Sequence, residues 1–439
     1  MGCFSSKPDD ASAIRRRPAS IGEVAVFVPG LRVPEPLELP PPPLADCLPR
    51  RLTERLAVSR TRIASMAARE ALAVSRPRWR AITQHGGSTS ADLVKALEEY
   101  LPVVLGMTKD GSELEDKIQF AWMNQEDDAE ETALPSAWYE VLSVVHMMAM
   151  LRLSQANSLL LPKTSLEGYH AKVSEENKRA SVEVFLKAAG HLECAMQHVL
   201  PRMSPEKRKG LPVDLSEAVL RATCMQALGQ AIDVQLGLAI DSPKATLAVK
   251  RRLACEMVKC WQQAHESIGD LPLLDGWGEK HRLFVKWKHI EAKASIICRF
   301  PFFSCLSKLN QDNTILQAAA YYYHGLILDE GNSEKCHRMA VAALLSAEEF
   351  LRESRTACEA FHAASPVSRS PVLWGSMKYL HDKIHKDSSC KVRINKDLYS
   401  NVDRTTHETA ALALPDFVVA LKPEEYRLPL TDSAASAND

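Results

Sequence analysis

Long apolar stretches are missing from this chain. A helix that crosses a bilayer needs about 20 consecutive apolar residues, and the longest such run, around Val141–Leu153, is interrupted by Ser143, His146 and Arg152. Any membrane contact is therefore expected to be peripheral. A surplus of charge is missing too. With 54 basic and 55 acidic side chains the net charge is −1, so the strong basic field that non-specific nucleic-acid binding needs is absent. Glycine, at 18 of 439 residues, and aromatics, at 6%, are too sparse to favour a β-rich fold. The 11 cysteines include no CxxC pair and follow no signal-peptide pattern. Cys194, Cys224, Cys255 and Cys298 fall inside helical patterns, where a thiol packs as a small hydrophobe. A reducing compartment and no disulfide framework are expected.

Catalytic constellations are missing as well. The sequence holds no P-loop, no GxGxxG after a strand, no GxSxG, no HExxH and no Cys/His zinc spacing. His265-Glu266 and His407-Glu408 lack the second histidine four residues on. One acidic cluster, Asp127-Asp128-Ala129-Glu130-Glu131, resembles the DDxxD/E metal box of all-helical terpenoid synthases. Asp127, Asp128 and Glu131, a helical turn apart, would hold Mg²⁺ on a diphosphate. The second metal box of such enzymes is not found, and the cluster runs into Leu134-Pro135, so a solvated acidic loop is the competing reading of the region Glu113–Glu131.

What the chain has in abundance is helical periodicity. Between Ser165 and Ser304 helical blocks run end to end, broken near Met203–Pro212, Asp241–Pro243 and Asp270–Gly278. Val182, Phe185, Ala189, Leu192, Met196 and Val199 share one face, as do Leu215, Val219, Ala222, Met225, Gly229 and Ile232. Ser242-Pro243 is expected to open the next helix, with serine as cap and proline at the first position. That helix carries Leu247, Arg251, Ala254, Val258, Trp261 and His265 in line. A fourth block holds Phe284, Trp287 and Ile290. No single helix here buries its stripe alone, so neighbours must stack, and short breaks favour antiparallel packing. The fold class expected is all-α, a solenoid-like array that escapes the usual domain-size ceiling.

The flanks are different. Met1-Gly2-Cys3-Phe4-Ser5-Ser6 matches the N-myristoylation pattern, with Cys3 placed for palmitoylation. One myristoyl chain binds a membrane marginally, at about 10⁴ M⁻¹, so a second signal would be required for stable residence. Arg15, Arg16 and Arg17 add attraction to anionic lipid, partly offset by Asp9 and Asp10. The competing reading is a chance start with an unmodified tail. Val24–Val28, Pro29-Gly30 and Leu31–Val33 read as strand, turn, strand. The stretch 34–43, ending Pro40-Pro41-Pro42-Pro43, reads as a stiff spacer or an SH3-type ligand. Residues 47–75 resume as helix, Ser90 caps a helix through Leu93, Leu97 and Leu101, and Trp138–Leu153 is a strongly apolar helix. Further on, helices are expected through Ile315–Leu326, Ser333–Ser354 and Leu373–His385, before an extended end segment with prolines at 415, 423 and 429.

With these residues in view the chain resembles the Bro-type domain family of Alix-like endosomal proteins, and most closely its short lipid-anchored plant members. The resemblance spans Val24 to Pro429 and rests on the strand pair and proline segment, on Ala227-Leu-Gly-Gln-Ala-Ile-Asp-Val234, and on Ala320-Tyr-Tyr-Tyr-His-Gly325 leading to Gly331 and Ala340–Leu351. It implies a boomerang-shaped helical domain over 24–430, between an acylated tether (1–23) and a polar tail (431–439). It implies no enzyme activity and no cofactor. The partner implied is the amphipathic C-terminal helix of an ESCRT-III subunit, held in an apolar groove between helices. Carried across, that groove would use Leu236, Val249 and Leu253; the competing reading is that Leu236 and Val249 are buried packing residues of the array. The location implied is the cytoplasmic face of an endosomal or plasma membrane.

Overall fold

A computed structural model describes residues 25–37, 49–75, 90–108, 114–124, 130–161, 173–269, 271, 276–293, 326, 334–365, 376–394 and 421–431. Gly2, Cys3, Arg15, Arg16, Arg17, Asp127, Asp128, the four-proline run and Ala320–Gly325 lie outside the described residues.

The described chain is mostly helical. The helices are α1 (Arg50–Ser75), α2 (Ser90–Gly106), α3 (Ala137–Leu160), α4 (Glu175–Cys194), the short α5 (Pro205–Lys209), α6 (Glu217–Asp241), α7 (Leu247–Ile268), α8 (Trp277–Lys293), α9 (Glu334–Ala363) and α10 (Ser376–Ile394). Apart from α5, each packs on the next long helix along the chain, and α10 also returns to touch α6. The expected array is the observed one. Helix α3 is apolar around its circumference and is buried from Ala137 through Leu151; a helix with no wet face belongs inside a core. Serines at 136, 174 and 216 cap α3, α4 and α6 by accepting N–H bonds from Tyr139, Asn177 and Val219. Helix α4 passes into a π turn, Ala195–Val199, and a 3₁₀ turn, Leu200–Arg202. Pro201 cannot donate its N–H, so the α-helical ladder cannot continue through it.

Three expectations are corrected. Of the stretch expected as a first strand, Val24–Val28, the described residues 25–28 do not pair with Leu31–Val33. The strand is β1 (Arg32–Pro34), and it pairs antiparallel with β2 (Phe120–Asn124), which pairs with β3 (Glu130–Leu134). Residues ahead of β1 are instead drawn into the helices: Phe27 stacks among Phe284 (4.7 Å between centroids) and Phe361 (5.6 Å). Gly30, at φ 133°, makes the bend between the two paths. Second, the acidic region is not loop throughout: Phe120–Asn124 and Glu130–Leu134 pair as strands, with Phe120 and Trp122 fully buried, while Asp127 and Asp128 lie outside the described residues. Third, Thr246 rather than Ser242 caps α7, its hydroxyl accepting the Val249 N–H at 3.3 Å. Ser242 ends α6, donating its N–H to Leu238 O at 3.1 Å.

The sheet is tied to the helices by a buried charge. Glu140 of α3 pairs with Arg60 of α1 and accepts from Tyr100 Oη (2.9 Å) and Trp122 Nε1 (2.7 Å). Arg60 also donates to the carbonyls of Glu35 (2.7 Å) and Ala121 (2.6 Å). A buried ion pair is tolerable only when its remaining donors and acceptors are satisfied, and this one is. Deeper in the array, Gly229 of α6 lies against the Trp261 ring of α7, where a Cβ would come within 2.8 Å. The end segment crosses α4: Glu424 N–H donates to Leu186 O at 3.0 Å, and Tyr426 stacks on His191 with centroids 4.3 Å apart.

Candidate partner-helix groove

The candidate site lies where the end of α6 meets the start of α7, beside α4. The sequence builds this junction from a five-residue connection, 242–246, that is too short to carry the chain across the array. The two helices therefore lie side by side in extensive contact.

Of the three residues assigned here by resemblance, the structure brings two to the surface. Val249 is 47% exposed, a high value for a valine, and Leu253, one turn on, is partly buried against the core. Leu236 is 0% exposed and belongs to the packing of the array. Helix α6 is apolar around most of its circumference, with Val219, Leu220, Ala222, Leu228, Ile232 and Val234 buried along it, so an apolar residue there is not thereby a surface contact. Leu238, Ile240 and Leu247 are also partly buried apolar residues of this junction.

Arg252, next to Leu253 in sequence, turns its guanidinium along the helix, Nε donating to the buried Glu256 carboxylate at 3.1 Å. The surrounding charge is mostly basic. The first turn of α7 holds no acid, and Lys244, Lys250 and Arg251 stand nearby in sequence. Lys178 of α4 reaches Asp241 at the end of α6, 2.9 Å away. An apolar strip flanked by cations suits an amphipathic helix that carries carboxylates beside its apolar face.

Elsewhere the perturbed titratable groups are structural. Burial pushes His146 and His191 down to about 4 and His281 to about 3. His281 Nε2 lies 2.9 Å from Gln226 Oε1, and Gln226 Nε2 donates to Phe27 O at 2.8 Å, which pins the residues before β1. Lys280, lowered to about 8 by burial, donates to Phe361 O (2.6 Å) and Ala364 O (2.9 Å) and so closes the end of α9. Neither arrangement presents a nucleophile or a base to a cleft. Glu131 is exposed on β3, while its proposed metal partners Asp127 and Asp128 lie outside the described residues. Among the described residues no group of three potential metal ligands converges, and none of the helices is long and apolar enough to cross a membrane.

No protein-family model and no curated protein sequence matches the chain. Solved structures do. The Bro1 domain of ALIX in complex with CHMP4C superposes with a TM-score of 0.58 at 15% identity, over 93% of this chain and 97% of that one. A Bro1-domain structure described as the basis for endosomal targeting gives 0.54 at 14% identity, over 94% and 95%. ALIX in complex with the SIVmac239 PYKEVTEDL late domain gives 0.55 at 17% identity. In that case 93% of this chain is covered but it spans only 50% of the ALIX chain. At these identities the likeness is one of fold: the chain has the helical architecture of a Bro-type domain, with its small antiparallel sheet.

Proposed function

We propose that this chain is a non-enzymatic peripheral adaptor in endosomal sorting and vesicle traffic. Its helical array receives the amphipathic C-terminal helix of an ESCRT-III subunit. The observation that carries this reading is the likeness of 93% of the chain to a Bro1 domain that was solved in complex with CHMP4C. The α6–α7 junction supplies a surface of the right chemistry: Val249 and Leu253, one helical turn apart, as apolar anchors, with basic side chains around. Leu236 acts beneath this surface, by holding α6 against its neighbours. Residence at the cytoplasmic face of a membrane follows from acylation of Gly2 and Cys3, supported by Arg15, Arg16 and Arg17.

The test is a binding titration of the intact chain against an ESCRT-III C-terminal helical peptide. Val249→Asp places a carboxylate where an apolar side chain docks, so it should weaken binding by about tenfold or more. Since Val249 is half exposed, circular dichroism and melting temperature should stay near wild type. A folded Val249→Asp protein that binds as wild type does would refute the groove. Wild type that binds no such peptide would point to a partner unrelated to ESCRT-III.

A further inference from the structure

The connection between α6 and α7 contains a Ser-Pro-Lys sequence, Ser242-Pro243-Lys244, and the structure leaves its serine uncommitted. Thr246 does the capping of α7. Ser242 has extended backbone angles (φ −90°, ψ 121°), and its hydroxyl makes no hydrogen bond to another described residue. It is half-buried, while Pro243 and Lys244 are exposed. The chain carries an internal contrast. At Ser204-Pro205 the same dipeptide opens α5: Pro205 is the first helical residue, and the Ser204 hydroxyl accepts the Lys207 N–H at 3.3 Å. Ser204 is spent on a helix cap, whereas the Ser242 hydroxyl stands without that role on the α6–α7 turn; two further Ser-Pro dipeptides, at 365–366 and 370–371, reach outside the described residues.

We propose that Ser242 is a phosphorylation site for a proline-directed protein kinase, and that its phosphate weakens partner binding at the adjoining groove. The transfer needs MgATP as co-reactant. A bond forms between Ser242 Oγ and the γ-phosphorus as the bond from that phosphorus to the β,γ-bridging oxygen breaks. ADP leaves with the electron pair, and the hydroxyl proton passes to the kinase's base. The product carries a charge of about −1.5 to −2 at neutral pH.

Its setting decides the effect. Asp241 and the carbonyl end of α6 repel the phosphate, whereas Lys244, Lys250 and Lys178 offer cations, the last already held by Asp241. The flank of the groove, basic before modification, becomes locally negative at the turn that leads into Val249. A helix bearing carboxylates then meets repulsion where it met attraction. The regulatory half of this proposal rests on the partner-helix reading above; the modification site does not.

The experiment treats the intact chain with a recombinant proline-directed kinase and MgATP, maps the phosphate by mass spectrometry, and titrates an acidic ESCRT-III C-terminal helical peptide. Wild type should be modified at Ser242 and not at Ser204, and its dissociation constant should rise about fivefold or more. Kinase-treated Ser242→Ala should bind as the untreated protein does. Absence of phosphate at Ser242 overturns the site, and phosphate there with unchanged affinity overturns the regulation. If untreated wild type does not bind the peptide, the regulation falls with the groove reading, while the mapped phosphate still decides the site.

Discussion

The carbonyl oxygen of Glu424 occupies the space that a side chain on Gly190 would fill. A Cβ built on Gly190 would lie 1.8 Å from that oxygen, well inside contact distance. The absent side chain lets an extended backbone segment lie directly on α4, with Tyr426 against His191 and Leu421 and Leu428 packed on the core.

Gly190→Ala should therefore lift the end segment off α4. The obstruction is backbone rather than a flexible side-chain tip, so relief requires the segment to move. A loss of about 1–3 kcal/mol in stability is expected, as for other overpacked sites. Hydrogen exchange should show faster exchange at the Glu424 amide. Unchanged protection there would contradict the contact.

The Arg60–Glu140 pair gives a second expectation. Arg60→Met leaves a carboxylate buried with only Tyr100 and Trp122 as donors, and should cost about 3–5 kcal/mol. Adding Glu140→Leu should restore part of that loss, because the orphaned charge goes with it. Urea unfolding of both variants measures the difference. A double variant no more stable than Arg60→Met would show that the polar network, rather than the desolvated charge, dominates.

Acid should destabilise the fold through its buried histidines. Their folded pKa values, about 4 for His146 and His191 and about 3 for His281, lie below the ordinary value of 6.5. The unfolded chain therefore binds these protons first. Stability from this source is full above pH 6.5 and is lost as pH falls from there towards 4. Each group contributes up to about 1.4 kcal/mol per pH unit in that window, or about 2 kcal/mol between pH 7.5 and 5, so the three together predict a loss of about 4–6 kcal/mol. Urea midpoints at those pH values check it. His146→Leu should flatten the dependence, and an unchanged slope would exclude His146 as a contributor.

Lipidation predicts a graded response. Gly2→Ala should release the protein to the soluble fraction, because both acyl chains depend on that glycine. Cys3→Ser should leave weak, reversible binding through a single chain of about 10⁴ M⁻¹. Cell fractionation separates the cases, and a Gly2→Ala protein still wholly membrane-bound would refute the tether.

The helical array was legible because its stripes are long and regular. Val182–Val199, Val219–Ile232 and Ala254–Trp261 fall on α4 and its π-turn extension, α6 and α7 as the 3.6-residue period requires. Strand β2 was not legible. Its alternation, Phe120 and Trp122 in with Ala121 and Met123 outward, spans five residues and is masked by acidic neighbours. Its partner β1 lies some 90 residues earlier, a pairing that no local pattern encodes. The cap at Thr246 competed with a serine four residues before it, and the hydrogen-bond geometry, not residue type, settled the choice. Within the groove, Leu236, Val249 and Leu253 came from the family resemblance, which could not separate a face covered by a neighbouring helix from one left open. Val249 and Leu236 are both aliphatic; only packing distinguishes them. The fold itself survives at 14–17% identity to its structural neighbours, as expected when burial pattern rather than particular side chains is retained.

The route of the chain ahead of β1 has a mechanical consequence. The amides of Ala25 and Val26 both donate to Asn157 Oδ1, at 2.6 and 3.0 Å, Phe27 is wedged among aromatic rings of α8 and α9, and Arg32 is clamped to Asp214 at 3.1 Å. Tension applied to the residues before Ala25 is borne first by these fastenings, in series, and through them by α3 and the α8–α9 layer together. A drag on that end is thus spread over separate parts of the array before any single helix is asked to unwind.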